Sequence, residues 1–316
     1  NAGYATGHFG KWHIGSKKKS GIYGIDVIGG SRDSGKDKRR DFRGRDGYIY
    51  DAAIKFIENN KDRPFYVNVW GKIPHRPVNP PASFVDRFLD ITVNETDFPV
   101  PMRKNFETIK VLGGDITISM RNYLGEVASL DDNIGRLLKR LDELGLSSNT
   151  VVAFSSDNGA FQITPEYYAA RSKNSKLTLN MIGFNGNLRG GKHVHYEGGV
   201  RVPFIIRWPG HVPAGRVDEQ SVISSIDWLQ TLGSIVGLKI IPDDLDGEDV
   251  SKSWLGQVHT RSKPLFWKTN RPDSPVGIRD SHWKFFLRDQ IELSIEERHT
   301  KRRHRLVVAR FGDGVA

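Results

Sequence analysis

The chain has 316 residues, of which 37% are hydrophobic and 27% charged, a balance typical of a globular protein with one large domain or a large and a small one. It contains no apolar run long enough for a transmembrane helix, and its lack of cysteine excludes disulfides, cysteine-ligated zinc and a cysteine nucleophile within these residues. The net charge of +10 indicates an acidic partner, but the excess lies in three segments typical of solvated loops, SKKKSG, SRDSGKDKRRDFRGR and ERHTKRRHR, and no nucleic-acid-binding motif accompanies them.

The first half of the chain predicts a helix, a strand, a loop and a long helix. Apolar residues from Ile49 to Ile57 share one helical face, and the strand FYVNVW follows and leads into GKIPHRP. A loop rich in proline and asparagine is predicted from Pro77 to about Pro101. Apolar residues then repeat at helical spacing from Tyr123 to Leu144, and Gly145 predicts the C-terminal end of that helix.

The second half predicts a buried strand, TVVAFSS, a further strand, VPFIIRWPG, and a capped helix, SSIDWLQTLGSIVG. Apolar strands that alternate with helices favour an α/β fold with a largely parallel, mixed central sheet flanked by helices. From about Lys263, the segments KPLFWKT, PVGIRDS and HWKFFLRD predict a small antiparallel sheet. We therefore predict an α/β domain over residues 1–258 and a small C-terminal α+β subdomain with a basic tail over residues 259–316.

Polar residues follow two of the predicted strands, where ligands of α/β sheets bind. His75 comes after FYVNVW, and Asp157 and Asn158 come directly after TVVAFSS. A carboxylate and an amide oxygen suit a hard cation such as Ca²⁺, or Mg²⁺ as an alternative, whereas DNG is also a common turn sequence. His75 has the alternative of being an ordinary loop histidine next to proline.

Two glycine-rich segments also carry cationic side chains. Lys11 and His13 follow GYATGHFG, and Lys192 lies in LRGGKHVHYEGGVRVP, which predicts either an anion-holding backbone or a plain hairpin turn. His193 and His195 would share a face if that segment were a strand, but the sequence offers no third zinc ligand beside them.

In combination and in order, these segments resemble the type I sulfatases, the formylglycine-dependent, arylsulfatase-like members of the alkaline phosphatase superfamily. GYATGHFGKWHIG is similar to their second signature, and the other segments follow in family order: PFYVNVWGKIPHRP, YLGEVASLDDNIGRLLKRLDELGLSSNTVVAFSSDNG, LRGGKHVHYEGGVRVPFIIRWPG, SSIDWLQTL and GIRDSHWKFFLR. The similarity spans roughly Asn1 to Asp289. It implies the alkaline phosphatase-like fold and a sulfuric ester hydrolase.

The resemblance also implies roles for six side chains. Lys11 would contact both the sulfate and the nucleophile, and Lys192 would be a second sulfate-binding lysine. His13 would orient the nucleophile and later take its proton, and His75 would protonate the departing alcohol oxygen. Asp157 and Asn158 would hold Ca²⁺. Cations around the sulfate oxygens and an acid on the leaving oxygen are what the chemistry requires. We expect all six to converge on one cleft at the carboxyl edge of the sheet.

The chain departs from the family in its nucleophile. The formylglycine hydrate is made from the first residue of C/S-x-P-S/A-R, and neither that motif nor the strand with the paired metal-site aspartates occurs here. We therefore expect an N-terminally truncated, inactive fragment of an enzyme, with a cysteine or serine precursor left open. The basic sequence after about Leu293 also departs from the family. Either a shifted reading frame or a divergent tail would explain it.

Two other functions stay open from the sequence. One is a phosphoester or phosphonate monoester hydrolase of the same superfold. The other is a degenerate, non-catalytic fragment or module that binds polyanions such as polysaccharide or nucleic acid. For the sulfatase, the substrate would be a sulfate ester, with a sulfated polysaccharide and a small aryl sulfate both compatible with the charge, and the family suggests an extracytoplasmic location.

Overall fold

The computed structural model describes residues 3–16, 18–30, 40–171, 176–238, 244–269, 276–289 and 304–310. The basic run at residues 31–39 and most of the basic tail, residues 290–303 and 311–316, lie outside the described residues. The chain divides into two compact units: a first unit of residues 1–150 and 161–184, and a second unit of residues 151–160 and 185–316. The division at residue 258 stays a prediction.

The first unit is built on a parallel sheet, as the alternation of strands and helices predicts. Its strand order is β2–β1–β3, and β1 lies in parallel register with both neighbours. The strands are β1 (Ala5–Gly10), β2 (Val27–Gly29) and β3 (Phe65–Trp70). The α-helices are α1 (Arg40–Arg43), α2 (Gly47–Asn59), α3 (Ala82–Val85), α4 (Val100–Val111), α5 (Ile116–Glu143) and α6 (Pro165–Arg171), and short 3₁₀ turns lie at Asp86–Phe88, Glu95–Asp97, Ser147–Asn149 and Lys176–Asn180.

Two apolar clusters hold the first unit together. One packs α2 against β1 and buries Phe9, Ile49 and Phe56, and α5 covers it from the side. The other lies between α4 and the segments on either side of it, around Met102 and Phe106. Each large side chain buried in this way contributes about 1.5–3 kcal/mol of transfer free energy.

The predicted loop from Pro77 to about Pro101 is wrong in part. It contains α3 and two 3₁₀ turns, and α4 begins inside it at Val100. Pro101 lies in the first turn of α4, where a helix needs no donor from its backbone nitrogen, so proline there starts a helix instead of preventing one. The long helix α5 is confirmed, with Asp115 capping its start and Gly145, at φ +68°, ending it.

The second unit begins with β4 (Val152–Ser155), which pairs antiparallel with β5 (Phe204–Arg207). Among the described strands β4 has no other partner, and the side chains from Ala153 to Ser155 are exposed. The predicted strands are therefore present, but the expectation that TVVAFSS is buried is wrong in this structure.

The remaining strands of the second unit form the antiparallel sheet expected near the C-terminus, in the order β6–β7–β8–β9. They are β6 (Leu265–Trp267), β7 (Val276–Asp280), β8 (Trp283–Asp289) and β9 (His304–Arg310), and β9 falls in the basic tail, where no strand was predicted. The helices are α7 (Glu197–Val200), α8 (Trp228–Ile235) and α9 (Ser251–Trp254), and a 3₁₀ turn at Ser225–Asp227 forms a capping box with Ser224. None of the helices in the described ranges is long and apolar enough to cross a membrane.

Candidate active site

Two of the predicted site segments leave the same edge of the parallel sheet. Lys11 directly follows β1 and the segment with His75 follows β3, and the last residues of the two strands, Gly10 and Trp70, are register partners. The backbone N–H of Lys11 donates to the carbonyl of Trp70 at 2.8 Å. The segments that carry Lys11 and His75 therefore begin next to each other at one edge of the parallel sheet.

Gly10 makes that close approach feasible. Its φ is +109°, and a Cβ at this position would collide with the carbonyl oxygen of Trp70. Only glycine combines this backbone conformation with such a near neighbour. The turn that presents Lys11 is thus encoded by the residue before it.

A buried histidine supports the Lys11 segment from inside. His8 is fully buried, its ring lies edge-on to Trp12 and Trp70, and its Nε2 is 2.5 Å from the carbonyl oxygen of Lys11. Burial lowers the pKa of His8 and outweighs the hydrogen bond to Lys11, which raises it. The lowered pKa favours the neutral ring. Because a carbonyl can only accept, the neutral ring carries its proton on Nε2. His13 itself is exposed beside this support.

His75 lies on a loop whose backbone is held at several points. Its own N–H donates to the carbonyl of Lys72 at 2.8 Å, and its carbonyl accepts from Arg45 at 2.7 Å. The imidazole is exposed, with Nδ1 3.0 Å from the carbonyl oxygen of Arg76. That contact assigns a proton to Nδ1, so a charged ring would have Nε2–H to donate to a substrate.

In the second unit, the turn after β4 packs against the glycine-rich segment that contains Lys192. The backbone N–H of Gly159 donates to the carbonyl of Gly199 at 3.0 Å, and the backbone N–H of Lys192 donates to the carbonyl of Ala160, also at 3.0 Å. Asn185 bridges the same two segments by accepting from the N–H of Ala160. The segments that carry Asp157, Asn158 and Lys192 therefore lie side by side.

The glycines of this region are explained by close backbone packing. A Cβ on Gly159, Gly191, Gly198 or Gly199 would collide with a carbonyl oxygen of a neighbouring segment. The region contains turns and the short helix α7, with no strand, so the condition under which His193 and His195 would share a face is not met. His193 is exposed at φ +79°, whereas His195 is buried.

A buried ion cluster anchors the far end of the Lys192 segment. Glu197 of α7 accepts from the fully buried Lys284 at 2.6 Å and from Arg279 at 3.3 Å. Burial lowers the pKa of Lys284, although the hydrogen bond to Glu197 opposes the shift. Because both partners come from the C-terminal sheet, that sheet fixes where α7 and the segment before it lie.

The expected metal ligands fit calcium in kind. Asp157 is exposed and Asn158 half-buried, and their oxygens are hard donors of the type that Ca²⁺ takes. Within the described ranges no group of three or more histidine, cysteine or acidic side chains forms a metal cluster. If they bind calcium, as the family resemblance implies, these two side chains would supply two of the six to eight ligands that the ion takes.

The six predicted residues fall into two groups. Lys11, His13 and His75 belong to the first unit, and the remaining three belong to the second, so their convergence on one cleft stays a prediction. Sequence analysis missed His8, Arg45 and Asp46, which hold the first group in place. A histidine inside a strand of small residues was the one available signal for His8, and no motif marked the other two.

Comparison with known proteins gives one family. A family model described as Sulfatase matches residues 1–238. The N-acetylgalactosamine-6-sulfatase of Rattus norvegicus is 35% identical over 182 residues, which cover 57% of this chain and 30% of the relative. The match thus spans less than a third of that relative's length.

Solved structures show the same fold. A structure described as Ps i-CgsB in complex with k-i-k-neocarrahexaose is similar over 90% of this chain and 63% of its own, with a TM-score of 0.65 and 23% identity. A second, BT4656 in complex with its substrate D-glucosamine-2-N,6-O-disulfate, covers 98% of this chain and 73% of its own, with a TM-score of 0.62 and 21% identity. The fold is the alkaline phosphatase-like α/β fold of these proteins.

Proposed function

Since this chain belongs to the sulfatase family, we propose that the whole protein hydrolyses sulfate monoesters. In this proposal, Lys11, Lys192 and His75 supply its sulfate-binding and proton-donating side chains. The observation that supports this most is the shared sheet edge from which the Lys11 and His75 segments leave, joined by the hydrogen bond from Lys11 to Trp70. A fixed cation and a titratable donor are then available on neighbouring loops.

The proposed roles follow from the charge that develops during the reaction. As the bond between sulfur and the bridging oxygen breaks, negative charge grows on that oxygen, and Nε2–H of a protonated His75 would be the group that donates to it. Lys11 and Lys192 would stabilise the charge on the other sulfate oxygens. The exposed His13 would orient the nucleophile and take its proton.

Two parts of the mechanism depend on groups beyond these side chains. Asp157 and Asn158 would contribute to a Ca²⁺ site, and a bound calcium ion would polarise the sulfate oxygens as a Lewis acid. Because the 316 residues hold no cysteine and no C/S-x-P-S/A-R motif, we propose that the formylglycine nucleophile comes from sequence outside them.

The substrate proposed is a sulfated saccharide. The net charge of +10 favours a polyanion, and two proteins of the same fold are described with an oligosaccharide and with a disulfated glucosamine. A small aryl sulfate is the alternative to be separated by assay.

The test uses the full-length protein on three substrates: an activated aryl sulfate, a sugar sulfate and an aryl phosphonate ester. We expect turnover of both sulfates and little of the phosphonate. His75→Ala should slow hydrolysis of the sugar sulfate by about 10²–10⁴-fold, because its alcohol leaving group needs protonation. Hydrolysis of the activated aryl sulfate should slow far less.

The matched control is His282→Ala, which removes an exposed histidine from the turn between β7 and β8. It should leave both rates unchanged. Preferential turnover of the phosphonate would favour the phosphonate hydrolase, and no turnover of any ester would leave polyanion binding as the function. Equal losses on both sulfates in His75→Ala would make His75 a sulfate-binding residue.

A further inference from the structure

The loop that carries His75 is held by buried charges from other elements. Asp46, immediately before α2, is fully buried, and its Oδ2 accepts the backbone N–H groups of Lys72 at 2.5 Å and Ile73 at 2.9 Å. Asp46 therefore fixes the first turn of this loop through its backbone.

Arg45 holds the other side of the same loop. Its guanidinium is buried and donates to the carbonyl oxygens of His75 at 2.7 Å and Pro77 at 2.5 Å. Behind it, Glu126 of α5 lies 3.6 Å from Nε of Arg45 and accepts the N–H of Asn79 at 2.9 Å. Three buried charges thus hold the backbone from Lys72 to Asn79.

Stability alone does not account for this arrangement of buried charges. Moving a charged side chain out of water costs several kcal/mol, and ion pairs of this kind are weak contributors to net stability. Here the hydrogen bonds go mainly to the backbone of one exposed loop. What they determine is where the Cα of His75 lies and which way its side chain leaves the loop.

We propose that Arg45 and Asp46, with Glu126 behind Arg45, are positioning residues for the imidazole of His75. The inference rests on the proposed function, in which His75 donates a proton to the leaving oxygen. Such a donor must lie within hydrogen-bond reach of the oxygen, and a misplacement of about 1 Å can cost about 10²-fold in rate.

The first arm of the test measures leaving-group dependence in the full-length protein. Arg45→Met, Arg45→Lys and Asp46→Asn should each slow a sugar sulfate by about 10–10²-fold and an activated aryl sulfate by less than about threefold. Combined with His75→Ala, they should cause no further loss on the sugar sulfate, because the group that they position is already gone.

The control is Arg136→Met. Arg136 of α5 pairs with Asp51 of α2 and hydrogen-bonds to Asn133, but makes no such contact with the His75 loop. This variant should change the turnover rates of the sugar sulfate and the aryl sulfate to the same small extent. If Arg45→Lys slowed both sulfates equally, or if its effect added fully to that of His75→Ala, the positioning role would be wrong.

The second arm does not depend on turnover. Amide hydrogen exchange of the segment Lys72–Asn79 should be at least tenfold faster in Arg45→Lys and Asp46→Asn than in wild type, and unchanged in Arg136→Met. Unchanged exchange in the first two variants would show that Arg45 and Asp46 do not hold this segment in place. If the wild-type protein hydrolysed no sulfate ester, the proposed function would fail while this arm still decided whether these charges hold the loop.

Discussion

At the scale of single residues, the candidate site depends on groups that touch no substrate. His8 turns a buried, neutral imidazole toward the carbonyl of Lys11, and Gly10 lets that segment approach Trp70. Both act on the backbone around Lys11. The side chains that would bind sulfate are thus placed by neighbours whose identity follows from packing and backbone geometry.

Gly10 gives a prediction with a matched control. Gly10 and Gly113 both have positive φ, at +109° and +79°, but a Cβ on Gly113 would meet nothing within 4 Å. Gly113→Ala should therefore cost about 1 kcal/mol, from its left-handed backbone alone. Gly10→Ala should cost roughly 3 kcal/mol or more, because the Trp70 carbonyl must also move. Urea unfolding of the two variants measures the difference, and equal costs would show that the close approach does not exist.

At the scale of elements, the segment between β5 and β6 is organised by two carboxylates, the buried Asp227 and the half-buried Glu248. Asp227 pairs with Arg261 through both oxygens, at 2.7 and 2.8 Å, and its Oδ2 also accepts the backbone N–H of Ser224, which closes the capping box of the 3₁₀ turn. Glu248 binds His259 at 2.9 Å and accepts from the backbone of Ser262 and Lys263. These contacts join residues far apart in sequence.

The environment of Glu248 predicts that the second unit loses stability in acid. Burial alone would raise its pKa, but hydrogen bonds from Ser262, His259 and Lys263 outweigh burial and lower the pKa to about 2 from 4.5. Since the folded pKa lies below the unfolded one, this stability is present above pH 4.5 and is lost as the pH falls toward 2.

The variant that tests this is Glu248→Gln. At pH 7 it should be less stable than wild type by on the order of 2–3 kcal/mol, and the gap should close toward pH 2. Glu219→Gln, which changes an exposed carboxylate of the same unit, should show no such gap. Thermal unfolding across pH 2–7 measures both, and a pH-independent gap for Glu248→Gln would contradict the account.

Periodicity predicted the elements whose neighbours lie close in sequence and failed where distant contacts decide. The faces of α2 and α5 and the strands β3 and β5–β8 follow from apolar spacing and from ordered family motifs, whereas β1 lies in a glycine-rich segment for which no strand is predicted. The start of α4 is not marked by the sequence, because proline is common both in loops and in the first turn of a helix. The antiparallel pairing of β4 with β5, and the hold of Arg45 and Asp46 on a loop some 30 residues away, leave no periodic trace in the sequence.

At the scale of the whole molecule, the chain is a sulfatase-family protein whose recognisable site residues are divided between two compact units. The first unit carries Lys11, His13 and His75, and the second carries Lys192 and the two expected calcium ligands. Each group is held by its own buried polar contacts. We propose that these 316 residues contain the sulfate-binding and acid groups but not the nucleophile.

The most direct measurement compares sulfate release by residues 1–316 with release by the full-length protein, on an activated aryl sulfate with calcium present. We predict metal-dependent turnover by the full-length protein and none by the 316-residue chain, which has no cysteine and no serine in a C/S-x-P-S/A-R motif from which formylglycine can be made. Calcium should also bind the shorter chain only weakly by calorimetry, since Asp157 and Asn158 supply two of the six to eight ligands required. Tight calcium binding together with measurable turnover by the 316-residue chain would contradict the claim and require a nucleophile within it.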